Sequence, residues 1–314
     1  MAPGSTIKPL SVYTPALEAG YAVDAEVMDD DSLTYGDDAY SVSNYDRNSL
    51  YDTLPMYQAI AESKNTSAVW LLDKLGIQRG ISKLEDFGIS IGEADENLGA
   101  IALGGMSKGV TPVQLASAYT TFVNEGVRTQ ARFITKIVDA TGAVIVDNTK
   151  PKTNRVTTAA VAEEMTSMLM GVYADGGTGA SAQPSNGMVI AGKTGTTELD
   201  RETGYIKSQW MVGYTPDLVV ATWLGYDKTN EIYNLNNAGK TMANLYSAEM
   251  GALLSISPQT EFAVAAAEET YDSGIINGLK NGLDEFMNDM GSFGQSLGEG
   301  SKKLFDWANE AFGQ

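Results

Sequence analysis

Three short motifs in the chain carry side chains that could together activate a serine hydroxyl. They are S-x-x-K at Ser5-Thr6-Ile7-Lys8, S-x-N at Ser63-Lys64-Asn65 and K-T-G at Lys193-Thr194-Gly195. For each motif alone, a helix surface or a turn is a sufficient explanation. Each occurs once, however, and in this order, which favours a common catalytic site.

The composition limits how such a serine could be activated. The chain has no His and no Cys, which excludes a Ser-His-Asp triad, a thiol nucleophile, and imidazole or thiolate metal sites. Lys8 shares a helix face with Ser5 and can serve as its base. For this the pKa of Lys8 has to fall from about 10.4 to about 7, roughly 4 kcal/mol, through burial or a second cation. We predict that Lys193 is this second cation.

The other motif residues suit the substrate. We expect Ser63 to relay a proton toward the leaving amine and Asn65 to hold a substrate amide. Hydroxyls of the K-T-G segment can bind a carboxylate, and the backbone N–H groups of Ser5 and Thr196 can form an oxyanion hole. A motif at a sheet edge could also accept an extended peptide as an added strand. The predicted catalytic residues are Ser5, Lys8, Ser63 and Lys193, the predicted substrate-binding residues are Asn65, Thr194, Gly195 and Thr196, and no metal or cofactor is predicted.

Charge and hydropathy exclude further classes of function. The net charge of −19 repels nucleic acid and anionic lipid, so neither is predicted as a partner. No apolar run approaches the roughly 18 to 20 residues that span a bilayer, and no signal peptide is recognisable. If the protein works outside the membrane, we expect its export signal or anchor on sequence not present here.

Hydrophobic periodicity predicts helices first and antiparallel strands later, which indicates an α+β architecture. Helices are predicted from Leu10 to Gly20, from Pro55 to Leu75 with a break near Ser63-Lys64-Asn65, from Thr111 to Gly126, and from Thr157 or Thr158 to Met170. Strands are predicted at Met188–Ala191, Trp210–Tyr214 and Leu218–Leu224. Residues 24–54, which are acidic and rich in Tyr, are predicted to form a long surface excursion.

The composition changes near residue 259. We predict that residues 1–258 form one domain and that residues 259–314 form an acidic, Gly-rich tail. Several apolar residues of the tail lie at helical spacing, namely Ile276, Leu279, Leu283, Met287 and Met290. The many glycines argue against a rigid helix, so the tail is predicted to be partly helical or disordered.

Longer blocks around the motifs resemble the penicillin-binding proteins, specifically the class A, bifunctional type of Gram-positive bacteria. The blocks are Pro3-Gly4-Ser5-Thr6-Ile7-Lys8-Pro9-Leu10, Leu103-Gly104-Gly105-Met106, Gly109-Val110-Thr111-Pro112-Val113-Gln114-Leu115-Ala116, Ala191-Gly192-Lys193-Thr194-Gly195-Thr196-Thr197 and Gly213-Tyr214-Thr215-Pro216. The likeness covers about residues 1–257.

This resemblance implies a fold and an activity. The fold is the penicillin-binding protein/serine β-lactamase-like transpeptidase fold, with an all-helical lobe that carries S-x-N and a five-stranded antiparallel sheet, flanked by helices, with K-T-G on an edge strand. The activity is D,D-transpeptidation: a stem peptide ending in D-Ala-D-Ala acylates Ser5 and is transferred to the amine of a neighbouring stem. β-Lactams acylate the same serine. The implied location is the extracellular face of the cytoplasmic membrane.

The chain departs from the family pattern in two respects. The membrane helix, the glycosyltransferase domain and the first part of the transpeptidase domain, including two strands of the sheet, are expected before S-x-x-K and are missing. We therefore expect an exposed sheet edge and marginal stability. Lys64 stands where an apolar residue is more usual and is expected to place a further cation near the site.

Three alternatives to a transpeptidase use the same motifs. A D,D-carboxypeptidase or a β-lactamase would transfer the acyl group to water. A class A-type lactamase needs an E-x-x-L-N-like segment between S-x-N and K-T-G, and here Glu93 and Glu96 precede Asn97-Leu98 in the wrong order. A truncated, non-catalytic fragment acting as a scaffold or remnant is the third alternative.

Overall fold

The computed structural model of the chain describes residues 1–46, 49–200, 204–235 and 238–270. Met1–Glu268 form one compact unit. The α-helices are α1 (Thr14–Glu18), α2 (Met56–Ala61), α3 (Asn65–Leu75), α4 (Ile77–Asp86), α5 (Leu98–Leu103), α6 (Pro112–Val123), α7 (Ala159–Met170) and α8 (Ala238–Leu254). The strands are β1 (Glu26–Asp29), β2 (Thr34–Tyr35), β3 (Tyr40–Ser41), β4 (Asp52–Pro55), β5 (Val127–Thr129), β6 (Lys136–Val138), β7 (Val144–Asp147), β8 (Thr153–Arg155), β9 (Ala191–Asp200), β10 (Tyr205–Thr215) and β11 (Leu218–Gly225).

The first helical run lies in the centre of the unit. It begins as a 3₁₀ turn at Gly4–Ile7, continues as a π-helical turn at Pro9–Tyr13 and ends as α1. Pro9 occupies the first position of the π-helical turn, where its missing N–H is tolerated. Leu10 and Tyr13 are completely buried, so the predicted apolar face is packed within the helical lobe. Helices α3, α4 and α5 all contact this run.

The acidic stretch at residues 24–54 is not wholly a surface excursion, and the prediction is wrong at both ends of the segment. β1 pairs with β4 in an antiparallel ribbon, with Val27 opposite Leu54. Both of these side chains are buried, and so is the carboxylate of Asp29. The acidic and aromatic residues of this stretch hide the alternation of apolar and polar side chains that predicts a half-buried strand. The ribbon packs against α3, which carries Asn65 at its first position.

The predicted helix break near S-x-N is present and has a defined geometry. α2 ends at Ala61, and α3 begins at Asn65. The turn between them is closed by Ser63 N–H donating to Ile60 O (3.2 Å) and Lys64 N–H donating to Ala59 O (2.9 Å).

A three-stranded antiparallel sheet, in the order β11-β10-β9, forms the second part of the fold. The central strand, β10, places Val212 opposite Lys193 and Trp210 opposite Gly195. Helices α6, α7 and α8 pack against the sheet. Within the described residues this sheet has three strands, where the resemblance implies five. Every residue of the outer strand β11 is only half-buried. The marginal stability expected for the chain stays a prediction.

β9 starts later and extends farther than the sequence predicted. Of the apolar run Met188–Ala191 only the last residue belongs to the strand, and Val189 is 60% exposed. The polar residues from Lys193 onward are paired with β10 instead. Hydrophobicity failed as a guide here because residues 194–199 of β9 line a cavity, and three of them are threonines.

The predicted tail lies largely outside the described residues, which end at Thr270, and all the apolar positions singled out in it fall beyond that point. The boundary at residue 258 therefore stays a prediction. The described residues just after it contact the turn between β10 and β11: Thr260 N–H donates to Asp217 (2.9 Å), and the Phe262 ring lies 5.8 Å from that of Tyr214. Among the described helices, none is long and apolar enough to span a membrane.

Candidate active site

Ser5 lies in the 3₁₀ turn that opens the central helical run. Its neighbours in the chain are held by three different elements, which fixes the backbone of the turn. The Gly4 N–H donates to Gly104 O (3.2 Å), the Tyr119 hydroxyl donates to Thr6 O (2.8 Å), and the Trp210 indole N–H donates to Ala2 O (2.8 Å).

Glycines allow the closest of these approaches. Gly104 has a φ of +75° at the end of α5, and a Cβ there would lie 2.2 Å from Gly4 O. A Cβ on Gly195 of K-T-G would lie 2.8 Å from Pro3 O. The backbone of the turn that contains Ser5 therefore packs directly against Gly104 and Gly195. Sequence reasoning used Gly104 only for the family resemblance and did not find this contact.

Lys8 is completely buried and points at the S-x-N turn. Its ammonium donates to Ser63 O (2.7 Å), Lys64 O (3.1 Å) and Asn65 Oδ1 (2.7 Å), and Nζ lies 3.4 Å from Ser63 Oγ. Burial, followed by the nearby charge of Lys193, holds the pKa of Lys8 well below its usual value. The three close oxygens match the three donors of an ammonium, so a proton that arrives on Lys8 is accepted into a preformed site.

Lys193 is also completely buried, on strand β9. Burial lowers its pKa to about 7, and its Nζ donates to Thr194 O (3.2 Å). Its charge acts on Lys8, although 185 positions separate the two residues in sequence (193 − 8). The structure thus brings together the two cations that the motifs predicted to converge.

Ser63 holds a strained backbone conformation. Its φ of +59° lies in the left-handed region, which residues other than Gly, Asn and Asp rarely adopt. This conformation turns both the Ser63 carbonyl and its hydroxyl toward Lys8 Nζ. A proton could therefore pass between Ser63 and Lys8 over a short distance.

Asn65 uses its amide within the protein. Its Oδ1 accepts from Lys8, its Nδ2 donates to Ser43 O (3.1 Å), and its backbone N–H donates to Asn44 Oδ1 (2.8 Å). A substrate amide would have to replace one of the two side-chain bonds, so the substrate role of Asn65 stays a prediction. Asn44 was missed because nothing in its local sequence marks it. It reaches Asn65 only through the fold.

Lys64 lines the same cavity as Ser5 and Ser63, so the expected further cation lies near the site, but its ammonium is paired with two carboxylates. Its Nζ lies 3.1 Å from Glu62 and 3.6 Å from Asp29. The charge that lowers the pKa of Lys8 is that of Lys193. The charge of Lys64 is thus compensated by Glu62 and Asp29.

A single cavity connects the three motifs. Its lining includes Ser5, Ser63, Asn65, Thr194, Gly195 and Thr196. The Thr194 and Thr178 hydroxyls lie 2.6 Å apart on one wall, and Thr196 is exposed beside them. These hydroxyls, with the buried Lys193 behind them, suit an anionic group such as a carboxylate. Thr178 was not found from the sequence, because it lies outside the three motifs.

This fold, with residues of all three motifs gathered at one cavity, is typical of the penicillin-recognising serine proteins. The chain belongs to the penicillin-binding protein transpeptidase domain family, whose pattern matches residues 1–247. It is 41% identical over 268 residues to penicillin-binding protein 2a of Streptococcus pneumoniae, covering 84% of this chain and 35% of that protein. It is 39% identical over 245 residues to penicillin-binding protein 1F of Bacillus subtilis, covering 78% and 33%. The chain thus spans about a third of the length of these relatives.

Solved structures agree with the fold. The penicillin-binding protein PonA1 from Mycobacterium tuberculosis matches with a TM-score of 0.70 at 25% identity, over 83% of this chain and 71% of that chain. The D,D-transpeptidase domain of a peptidoglycan glycosyltransferase from Eggerthella lenta matches in fold, with a TM-score of 0.63 at 23% identity over 81% and 66%. The resemblance to the class A, Gram-positive type and the predicted α+β transpeptidase fold are confirmed.

Proposed function

We propose that this chain is the catalytic part of a serine D,D-transpeptidase that cross-links peptidoglycan stem peptides through an acyl-enzyme on Ser5. The observation that carries the proposal is that two buried lysines from separate motifs interact with each other, and each donates a hydrogen bond to a residue that lines the same cavity as Ser5. Neither lysine is a surface residue. Burying two ammonium groups near each other destabilises the folded state, so their burial indicates a role other than folding. Membership of the transpeptidase family supports the same conclusion.

In the acylation step, Lys8 accepts the Ser5 proton as Ser5 Oγ attacks the carbonyl carbon of the penultimate D-Ala. The negative charge on the carbonyl oxygen is stabilised by the backbone N–H groups of Ser5 and Thr196. The C–N bond to the terminal D-Ala then breaks. The proton passes from Lys8 through Ser63 to the leaving amine, and D-Ala departs while the remaining stem is esterified to Ser5.

In the transfer step, an amine of a second stem peptide attacks this ester. Lys8 takes the amine proton and returns a proton to Ser5 as the C–O bond breaks, which leaves a new amide between the two stems. The outer position of β9 in the described sheet supports strand-like binding of the donor stem beside K-T-G. The hydroxyls of Thr194 and Thr196 are placed to bind the terminal carboxylate of the stem.

β-Lactams are the second ligand class that we propose, because they present a carbonyl and a carboxylate in the same relation. A PonA1 structure in complex with penicillin V matches this chain with a TM-score of 0.69 at 25% identity. We place the protein at the extracellular face of the cytoplasmic membrane, where its stem-peptide substrates lie. We expect no nucleic-acid partner, because the net charge of −19 repels a polyanion.

The test is to supply a peptide ending in D-Ala-D-Ala together with an amine acceptor and to follow the products by mass spectrometry. We expect D-Ala release together with an amide-linked product, and neither with Ser5→Ala. Release of D-Ala into water alone, whatever the acceptor concentration, would identify a carboxypeptidase. No release from a folded chain would identify a non-catalytic fragment.

A further inference from the structure

The side chain of Lys64 is held in place by several polar and aromatic partners next to the S-x-N turn. The side chain is only 3% exposed. Its Nζ lies 3.6 Å from Asp29 and 3.1 Å from Glu62, donates to Ser49 O (2.5 Å) and to Ser49 Oγ (2.9 Å), and lies 4.5 Å from the centre of the Tyr51 ring. A lysine with so many partners has lost most of the freedom that a surface lysine keeps.

The same residue faces the catalytic base with its backbone. Lys64 O accepts from Lys8 Nζ at 3.1 Å, beside Ser63 O at 2.7 Å. Ser63 meanwhile keeps a left-handed φ of +59°. A strained conformation of this kind persists only where its surroundings hold it in place. The clamped side chain of the adjacent residue is such a restraint.

The far end of the clamp is itself rigid. Asp29 is completely buried and accepts from Asn44 Nδ2 (2.6 Å), from the Tyr51 N–H (3.2 Å) and from the Thr66 hydroxyl. Asn44 Oδ1 in turn accepts from the N–H groups of Asn65 (2.8 Å) and Thr66 (3.3 Å). The carboxylate that faces Lys64 is thus fixed to β1, to the segment before β4 and to the first turn of α3.

We infer that Lys64 is a positioning residue for the reaction at Ser5. Its ammonium, tied to Asp29, Glu62 and Ser49, holds the strained turn that sets the Ser63 hydroxyl and the surrounding oxygens around Lys8 Nζ. This inference rests on the proposed function, since it concerns the base of that reaction. Lys64 acts only through Ser63 and Lys8 and exchanges no proton with the substrate.

The test compares the acylation of full-length variants by a fluorescent penicillin. The rate is measured per molecule that is eventually labelled, so that unfolded protein is not counted. We expect Lys64→Met to lower this rate by roughly ten-fold or more, because small displacements of catalytic groups have effects of that size. Lys64→Arg keeps a cation between the carboxylates and should stay within about three-fold of the unmodified chain. Lys74→Met is the matched control: Lys74 is an exposed lysine of α3, the helix that directly follows Lys64, and its Nζ lies 5.9 Å from the Trp70 ring. Its loss should leave the rate unchanged.

Lys64→Met leaves the buried Asp29 without its cation and could unfold the chain. The double variant Asp29→Asn with Lys64→Met removes both charges and should fold, yet it should react as slowly as expected for Lys64→Met alone. A wild-type rate per labelled molecule in either folded variant would overturn the inference. The inference would also be overturned if the variants gave less labelled protein but an unchanged rate per labelled molecule, because Lys64 would then be a purely structural residue. An unmodified chain that is never labelled would refute the proposed function, and the inference with it.

Discussion

Replacing the lysine of K-T-G, Lys193, should make the folded chain more stable. Lys193 is completely buried, and burial lowers its pKa from 10.5 to about 7. A lysine with a lowered folded-state pKa destabilises the fold at every pH at which the unfolded chain is protonated. Lys193→Met keeps much of the side-chain volume and removes the charge.

The sign and size of the effect follow from the two pKa values. Below the folded-state pKa both states are protonated, and the full cost of burying the charge is present. As pH rises from about 7 toward 10.5 the unfolded chain also loses its proton, so the cost disappears. The cost is about 4 kcal/mol at pH 7 and about 2 kcal/mol at pH 9. The hydrogen bond to Thr194 O is worth about 1 kcal/mol, which leaves a net gain for Lys193→Met of about 3 kcal/mol at pH 7 and about 1 kcal/mol at pH 9.

Urea unfolding followed by tryptophan fluorescence at several pH values between 6.5 and 9 measures this difference. Comparing the variant with the unmodified chain at each pH cancels the general effect of the acidic net charge. Lys136→Met, which removes an exposed lysine of β6, should change stability by less than about 0.5 kcal/mol at every pH. A Lys193→Met variant that is no more stable at pH 7, or whose gain does not shrink as pH rises, would refute the reasoning.

Two further predictions concern the geometry of the site and the base. Gly104→Ala should lower the free energy of unfolding by about 2 kcal/mol or more, because the added Cβ would lie 2.2 Å from Gly4 O. Gly105→Ala is the control, since a Cβ there meets nothing within 4 Å. Equal urea midpoints for the two variants would contradict this prediction. The penicillin acylation rate should rise with pH as Lys8 loses its proton, well below pH 10.5, and Lys193→Met should move this rise to higher pH because it removes a cation that lowers the pKa of Lys8. If the acylation rate rises at the same pH in Lys193→Met as in the unmodified chain, Lys8 is not the base.

The sequence predicted the part of the site that depends on residue type and local spacing. A serine and a lysine one helical turn apart, in a chain without His, leave few routes to an activated hydroxyl. The need to lower the pKa of Lys8 then pointed to Lys193 as the second cation. The helix break at S-x-N and the antiparallel order of the later strands were also predictable, because they depend on local periodicity and turn residues.

The rest depends on contacts between residues that are distant in sequence. Asp29 was read as one of several surface acids, and only the fold buries it beside Lys64. Asn65 carries the amide that substrate recognition requires, but the structure directs that amide to Lys8 and to Ser43 O. The charge of Lys64 was correctly noticed, but its direction could not be predicted, because either face of the turn was available to it.

The central claim is that the two lysines activate Ser5, and a covalent adduct tests it most directly. The chain is incubated with a penicillin near neutral pH, its intact mass is measured, and the modified peptide is sequenced by mass spectrometry. We predict one penicilloyl group per chain, on Ser5, and none on Ser5→Ala or on a folded Lys8→Met variant. A folded chain that gains no mass, or that carries the adduct on another residue, would contradict the account.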